Sequence, residues 1–556
     1  MRLHHRLSSL LVAVVLCCAN VGASEPEVRT PAGTFRGKVL TSHSGHQYES
    51  YRGIPYALPP TGHRRFALPV RHPVIEGAYN ATEFGSQCLQ RKDGTAIGQE
   101  DCLFLNVYTP VSGKETNGRE LKKVLVYVHG GGLVMGASDW YLPGDLVTRG
   151  DFVVLTMNYR LHWLGFLRGN SSSLPGNVGL WDQVLALQWV KDNIQAFGGD
   201  PSDVTLSGES AGSISASILS VSPLGKGLFT KVLLMSGTAA IAPNPPRTTN
   251  DLLQAAANRF GCDVGSVNGN EETIVNCLKK LPGDIFANTF DEDFIFQCVS
   301  SDDELLPKPF RQLLGNTSYL SDVGFLNRNY IVSITSDDGY IFVNSRFGIV
   351  DTTSVNKSAE GVYRTLSLPR NVAAEIITEY TKLYGDIDKA VTALLRDFVF
   401  LNHSVHFLES YSRPPKQHQV DAGKNAYLMS FDNIPKYVPN KYMLHSLDLA
   451  YLFDLDIKGL MESYYYIEIV DGFHEEDVAL KADFIDLVTD FMKTGNPSQK
   501  LTQKKKNIVW PPYDPERKSY LSFSLQPSVG QDIFSDRSFI WETLVPQWLQ
   551  EDQRSE

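Results

Sequence analysis

Val204-Thr-Leu-Ser-Gly208-Glu-Ser210-Ala-Gly212 joins two kinds of sequence pattern at a single serine. Val204 to Leu206 is a short apolar, β-branched run, and Ala211-Gly-Ser-Ile-Ser-Ala-Ser-Ile218 is a small-residue helical stretch, so Ser210 stands in the turn between a strand and a helix. Glycines two places before and two places after the serine relieve crowding in a strained turn, which lifts the hydroxyl above a sheet and onto a helix N-terminus. Such a turn presents a nucleophile, whereas Gly-x-Ser-x-Gly without those flanks is only a Gly-rich turn.

A serine hydroxyl attacks only when a base removes its proton, and acyl transfer creates an oxyanion that needs preorganised donors. Upstream, the run Val124-Leu-Val-Tyr-Val128 leads directly into His129-Gly130-Gly131-Gly132, whose glycines let backbone N–H groups approach an oxygen with no Cβ in the way. Similar runs recur at Phe152 to Leu155, Val232 to Met235, Tyr330 to Ile334 and Ala426 to Met429; apolar on both faces, they read as buried parallel strands. Before the serine turn, Leu180, Val184 and Leu187 share one helical face that Ile194 and Phe197 continue, and Gly198-Gly199 ends the helix, making a β-α-β unit. The stretches 240–325 and 350–425 are polar and helix-rich, so they read as insertions that cap one large α/β domain.

The rest of the composition is that of a folded protein. Among 556 residues, 42% are hydrophobic and 20% charged, with no low-complexity block, which excludes disorder and fibre. Fifty-one basic against 62 acidic residues give a net charge of −11, which excludes a nucleic-acid or other polyanionic partner. The one basic run, Lys504 to Lys506, reads as a solvated loop.

Residues 1–23 have the zones of a secretory signal: Arg2 and Arg6, an apolar stretch from Leu10 to Ala19, then Val21-Gly22-Ala23 for cleavage, with the mature domain as 24–556. No other segment is long and apolar enough to span a bilayer, and the C-terminus carries neither an anchor tail nor a retention tetrapeptide, so a secreted, extracellular product is expected. In that oxidising compartment, pairing by proximity joins Cys88 to Cys102 and Cys262 to Cys277, each bridge worth ~3 kcal/mol in the loop-entropy model, and leaves Cys298 as a buried free thiol. Sequons at Asn80, Asn170, Asn316, Asn356 and Asn402 fit secretion as glycosylation sites.

Further motifs stand in order along the chain: Tyr51-Arg-Gly-Ile-Pro-Tyr-Ala57, Glu100-Asp-Cys-Leu-Phe-Leu-Asn-Val107, Phe197-Gly-Gly-Asp-Pro201, Thr494-Gly-Asn-Pro497 and Trp510-Pro-Pro-Tyr513. With the HGGG loop and the serine turn, they make the mature chain resemble the type-B carboxylesterase and cholinesterase family of the α/β-hydrolases. The resemblance implies a catalytic order of serine, acid, histidine. The acid lies before a glycine after a late strand, which selects Asp338 in Ser336-Asp337-Asp338-Gly339, where many relatives carry Glu; Asp337 is the competitor. Eight of the 13 histidines precede the serine, leaving His403, His406, His418, His445 and His474. His445, in Met443-Leu-His-Ser-Leu-Asp448, matches the family pattern, whereas His474 opens the acidic helix start Glu475-Glu476-Asp477.

The mechanism so implied needs no cofactor and no metal. His445 takes the Ser210 proton, Asp338 fixes its tautomer, and the N–H groups of Gly131, Gly132 and Ala211 hold the oxyanion formed from a small-molecule ester. Glu209 is expected to face the pocket. The segment from Leu89 to Asp101 holds no aromatic residue, whereas cholinesterases place a cation-binding Trp there, so choline esters are not the expected substrates. The juvenile hormone esterase subgroup typically carries Gln before the serine, from which Glu209 departs; a hormone-like hydrophobic methyl ester and dietary or xenobiotic esters both stay open as substrates. A lipase is the alternative enzyme reading. Non-catalytic adhesion proteins of this family usually lack a complete triad and carry a membrane helix, and this chain has the triad and no such helix.

Overall fold

The protein is described by a computed structural model covering residues 25–111, 120–239, 249–262, 271–288, 299–302, 304–343, 345, 348, 350–366, 368–413, 423–439, 442–469, 473–504 and 508–555. The signal segment, Cys298, His418, Lys505 and Lys506 lie outside these residues.

Eleven strands form one large sheet: β1 (Lys38–Thr41), β2 (Gln47–Pro55), β3 (Phe104–Pro110), β4 (Lys122–Val128), β5 (Val153–Met157), β6 (Gly199–Glu209), β7 (Lys231–Met235), β8 (Asn329–Thr335), β9 (Ala426–Phe431), β10 (Ser519–Phe523) and β11 (Ser528–Gln531). Their order is β11-β10-β9-β8-β7-β6-β4-β5-β3-β2-β1. From β5 through β4, β6, β7, β8 and β9 to β10 every neighbour is parallel, and the outer pairs are antiparallel. The expected runs are thus the central strands. The missed ones are mostly outer strands; β10 alternates between buried and half-buried positions and β1 between half-buried and exposed ones, so neither shows an unbroken apolar run.

The sheet divides the core in two. Val124, Val126 and Val128 of β4 enter one cluster while Leu125 and Tyr127 enter the other, as the period of two along a strand demands. Helix α1 (Val178–Asn193) covers one face and is buried on nearly all sides, Leu185, Trp189 and Val190 included, so the single apolar face expected for it understates its burial. Its 3₁₀ extension Ile194–Phe197 stops where Gly198 takes φ 82°. Within the expected insertions lie only helices among the described residues, including Thr249–Arg259, Glu271–Lys280, Val355–Leu366, Arg370–Tyr384 and Ile387–Leu395. A π-helical turn, Arg396–Leu401, joins the last of these to Asn402–Ser412.

Both expected disulfides are formed, Cys88 to Cys102 and Cys262 to Cys277. The first closes a loop holding the hairpin Gln90–Lys92 with Thr95–Ile97. All five sequon asparagines are exposed. No helix of the described residues is long and apolar enough to cross a membrane.

Register positions the chemistry. Val128 pairs with Gly208, Glu209 with Met235, and Met235 with Ser333, so β4, β6, β7 and β8 end nearly level. The segments after these strands therefore emerge at one edge of the sheet, the carboxyl end where open α/β sheets bind ligands.

Candidate active site

Ser210 comes directly after β6 and caps helix α2 (Ala211–Val221) with φ 54° and ψ −122°, a backbone conformation that L-residues rarely hold. The flanking glycines are required by close approach. A Cβ on Gly208 would lie 2.3 Å from the Gly212 carbonyl carbon, and one on Gly212 would lie 2.0 Å from the Val128 carbonyl oxygen. The Ser210 N–H donates to Met235 O at 2.9 Å, which ties the turn to β7. As the first residue of α2, Ala211 has an N–H with no acceptor inside the helix.

The loop after β4 packs against this turn: a Cβ on Gly130 would meet Glu209 Oε2 at 2.7 Å and Ser210 Cβ at 3.2 Å. Gly131 and Gly132 take φ 101° and 64°. Among the described residues their N–H groups find no hydrogen-bond acceptor, although the Gly131 carbonyl accepts from Val134 and Met135. His129 turns away from the serine, with its ring stacked on Tyr159 at 4.4 Å and Nδ1 2.9 Å from Gly130 O. Burial pushes its pKa down to about 4, so it braces the loop as a neutral ring. Gln90 of the disulfide hairpin holds the far end of the loop, donating to Gly136 O and accepting from Gly136 N, both at 2.9 Å.

Asp338 opens the 3₁₀ turn Asp338–Phe342 after β8. Fully buried, it accepts from Thr335 Oγ1 at 2.8 Å and Thr335 N at 3.0 Å, and its Oδ1 lies 2.8 Å from His445 Nδ1. The aspartate thus spans the gap to the histidine without the longer side chain. Asp337, the competitor, meets no histidine; its Oδ2 accepts the Met443 N–H at 2.8 Å. Of the other late histidines, His403 is buried beside Arg311 and pushed down to about 3 by burial and that charge, and His474 is the exposed cap of helix Glu475–Thr494.

Glu209 faces inward as expected. It is buried, its Oε1 accepts from Ser446 Oγ at 2.6 Å, and the same oxygen lies 3.1 Å from His445 Nε2. Ser210 Oγ forms no hydrogen bond to another described residue, so Nε2 is turned to Glu209 in this structure. The Tyr465 hydroxyl donates to the His445 carbonyl at 2.5 Å, and the Phe400 ring, carried by the π turn, lies 5.0 Å from the imidazole.

Asp448 was missed in the sequence, although an acid in the apolar run Leu447-Asp-Leu-Ala-Tyr451 marks it. It is fully buried three residues after His445, and neither carboxylate oxygen has a hydrogen-bond partner. Burial first, then Glu209 and Asp338, push its pKa up to about 8. Burial opposes a charge on His445, but Glu209, Asp338 and Asp448 outweigh it and raise the imidazole to about 9. Burial also raises Glu209, against the pull of His445 and Ser446. One imidazole and three carboxyl groups share this buried space, and burial with their mutual field holds protons on the centre.

One group of three possible metal ligands occurs among the described residues, His43, Asp145 and Asp454, away from this site. Lys481 Nζ lies 2.6 Å from Asp454 and 3.3 Å from Asp145, so both carboxylates already share a cation of the chain itself.

A sequence profile of the carboxylesterase family matches residues 24–541. The chain belongs to the carboxylesterase family. As a carboxylesterase it is a carboxylic ester hydrolase on the α/β-hydrolase fold. It is 31% identical to acetylcholinesterase-1 of Trittame loki over 91% of this chain and 92% of that protein. It is 30% identical to the bile salt-activated lipase of Mus musculus over 93% and 87%, respectively. It is 29% identical to a medium-chain fatty acyl-CoA hydrolase precursor of Anas platyrhynchos over 99% and 98%. The carboxylesterase therefore resembles hydrolases of differing named substrates along nearly its whole length.

Proposed function

We propose that the chain is a secreted serine carboxylesterase working through an acyl-enzyme on Ser210. The observation that carries this reading is the buried 2.8 Å contact between His445 Nδ1 and Asp338 Oδ1, beside a serine held in a strained turn. With Nδ1–H bound to Asp338, the neutral imidazole keeps its lone pair on Nε2, the tautomer a base needs. The proton of Ser210 passes to Nε2 as Oγ attacks the ester carbonyl, and the N–H groups of Gly131, Gly132 and Ala211 receive the oxyanion. The alcohol leaves with the proton from His445, and water then cleaves the acyl-enzyme by the same steps reversed. Contacts of this kind tighten when substrate fills the site, which fits a free enzyme whose Nε2 faces Glu209.

Secretion is proposed from residues 1–23 as a removable signal, and two disulfides and five exposed sequons support it. The loop closed by Cys88 and Cys102 has no aromatic face for a quaternary ammonium, which favours uncharged esters over choline esters. The likeness to a bile salt-activated lipase favours a second reading, hydrolysis of long-chain esters. Purified secreted protein is tested on p-nitrophenyl acetate, butyrate and palmitate, with Ser210→Ala and an organophosphate as checks. Cleavage of the short esters, lost in Ser210→Ala and after the inhibitor, is expected. Palmitate cleavage that rises above the substrate's solubility limit favours the lipase. A folded wild-type protein inert to all three esters and to the organophosphate overturns both.

A further inference from the structure

We infer that Asp337 is a positioning residue that sets where His445 stands. This rests on the proposed triad and deepens it. The turn after β8 carries two consecutive carboxylates, and both reach the histidine loop: Asp338 Oδ1 to His445 Nδ1 at 2.8 Å, and Asp337 Oδ2 to the Met443 N–H at 2.8 Å. The two anchors fall two residues apart on the histidine loop, so that short stretch is held at both of its ends. Asp338 and Glu209 hold the ring and Tyr465 holds the His445 carbonyl; Asp337 adds a tether two residues upstream, on the backbone that leads into the histidine.

Asp337 is itself held. Its Oδ2 also accepts from Ser336 Oγ at 3.0 Å, its carbonyl accepts the Tyr340 N–H at 2.9 Å, and Arg396 Nη1 donates to the Ser336 carbonyl at 2.9 Å. Arg396 opens the π turn that also carries Phe400 onto the His445 ring, so one element braces the acid turn and the imidazole together. Met443 is fully buried, so removing the Asp337 side chain takes the acceptor away from a backbone N–H on a buried residue. The role needs an acceptor oxygen at the Oδ2 position, which an asparagine supplies when its amide oxygen stands there and accepts from both the Met443 N–H and Ser336 Oγ.

Asp337→Ala and Asp337→Asn are made in the full chain, and kcat and KM for p-nitrophenyl butyrate are measured per active site, counted by complete reaction with an organophosphate. Asp337→Ala is expected to lose on the order of 10- to 100-fold in kcat, the penalty of a misplaced base, with KM within about 3-fold. Asp337→Asn is expected to keep kcat within about 3-fold. Counting sites removes any loss through poor folding, and Asp337→Ser replaces the alanine variant if that is not secreted. A kcat per site in Asp337→Ala equal to wild type overturns the inference, as does an asparagine variant as slow as the alanine one. Ser210→Ala run alongside separates the two readings: its retained activity sinks the triad, whereas its inactivity beside an unimpaired Asp337→Ala sinks only the role of Asp337.

Discussion

Glu209 Oε1 lies 3.1 Å from His445 Nε2, on the opposite side of the ring from Asp338. The carboxylate stabilises the imidazolium, so the histidine is raised to about 9, and in the proposed mechanism, where the neutral ring is the base, active enzyme accumulates only as pH climbs toward that value. Removing the Glu209 charge lowers the imidazole pKa. Glu209→Gln is therefore expected to move the acid limb of the kcat/KM profile down by about one pH unit. A limb that stays in place would show that this charge does not govern the base.

Asp448 makes stability fall as pH rises. Its folded pKa is raised to about 8, while the unfolded side chain titrates in the ordinary carboxylate range. Between those values the folded state keeps a proton that the unfolded chain releases, so this group's contribution is complete only below the ordinary range and is lost as pH rises through 8. An asparagine at this position has no such proton to lose. Thermal unfolding should show Asp448→Asn gaining Tm over wild type by more at pH 8 than at pH 5; an equal or smaller gain at pH 8 would contradict a protonated Asp448.

Gly212 leaves no room for a side chain. An alanine Cβ would stand 2.0 Å from the Val128 carbonyl oxygen and 2.8 Å from that of His129, both backbone atoms of the strand and loop beside Ser210. Gly212→Ala is expected to cost about 3 kcal/mol or more and on the order of 100-fold in kcat, because the serine turn and the glycine loop must part. Gly198→Ala is the control: φ is 82° but nothing lies within 4 Å, so about 1 to 2 kcal/mol should be lost with kcat unchanged. Equal behaviour of the two variants in calorimetry and turnover would refute the crowding argument.

The Cys88–Cys102 bridge supports the glycine loop through Gln90. Replacing both cysteines by serine is expected to lower stability by about 3 kcal/mol, as loop entropy returns to the unfolded chain. Gln90→Leu should keep the disulfide yet lose both hydrogen bonds to Gly136, lowering kcat by roughly 10-fold while KM changes less. Denaturant titration and steady-state kinetics check the pair; a Gln90→Leu enzyme with wild-type kcat would remove the hairpin from the site.

Local pattern determined much of this protein. The parallel core strands, the helix before the serine, the Gly-x-Ser-x-Gly turn and the HGGG loop were legible because strand burial, helix ending and glycine crowding act within a few residues of chain. Proximity along the chain also paired four cysteines correctly. The strands β1 and β10 were not legible, since a strand with every other residue at least partly open to solvent lacks the apolar run that marks a central strand. The resemblance already selected Asp338 over Asp337, but tertiary structure alone decided that Asp337 holds Met443, because one residue's difference in a turn sends neighbouring side chains to different partners. It alone decided that Glu209, Asp338 and Asp448, up to 239 residues apart in sequence, share one buried space around one imidazole. Their pKa values arise from that burial and mutual distance, neither of which exists until the strands that carry them lie side by side.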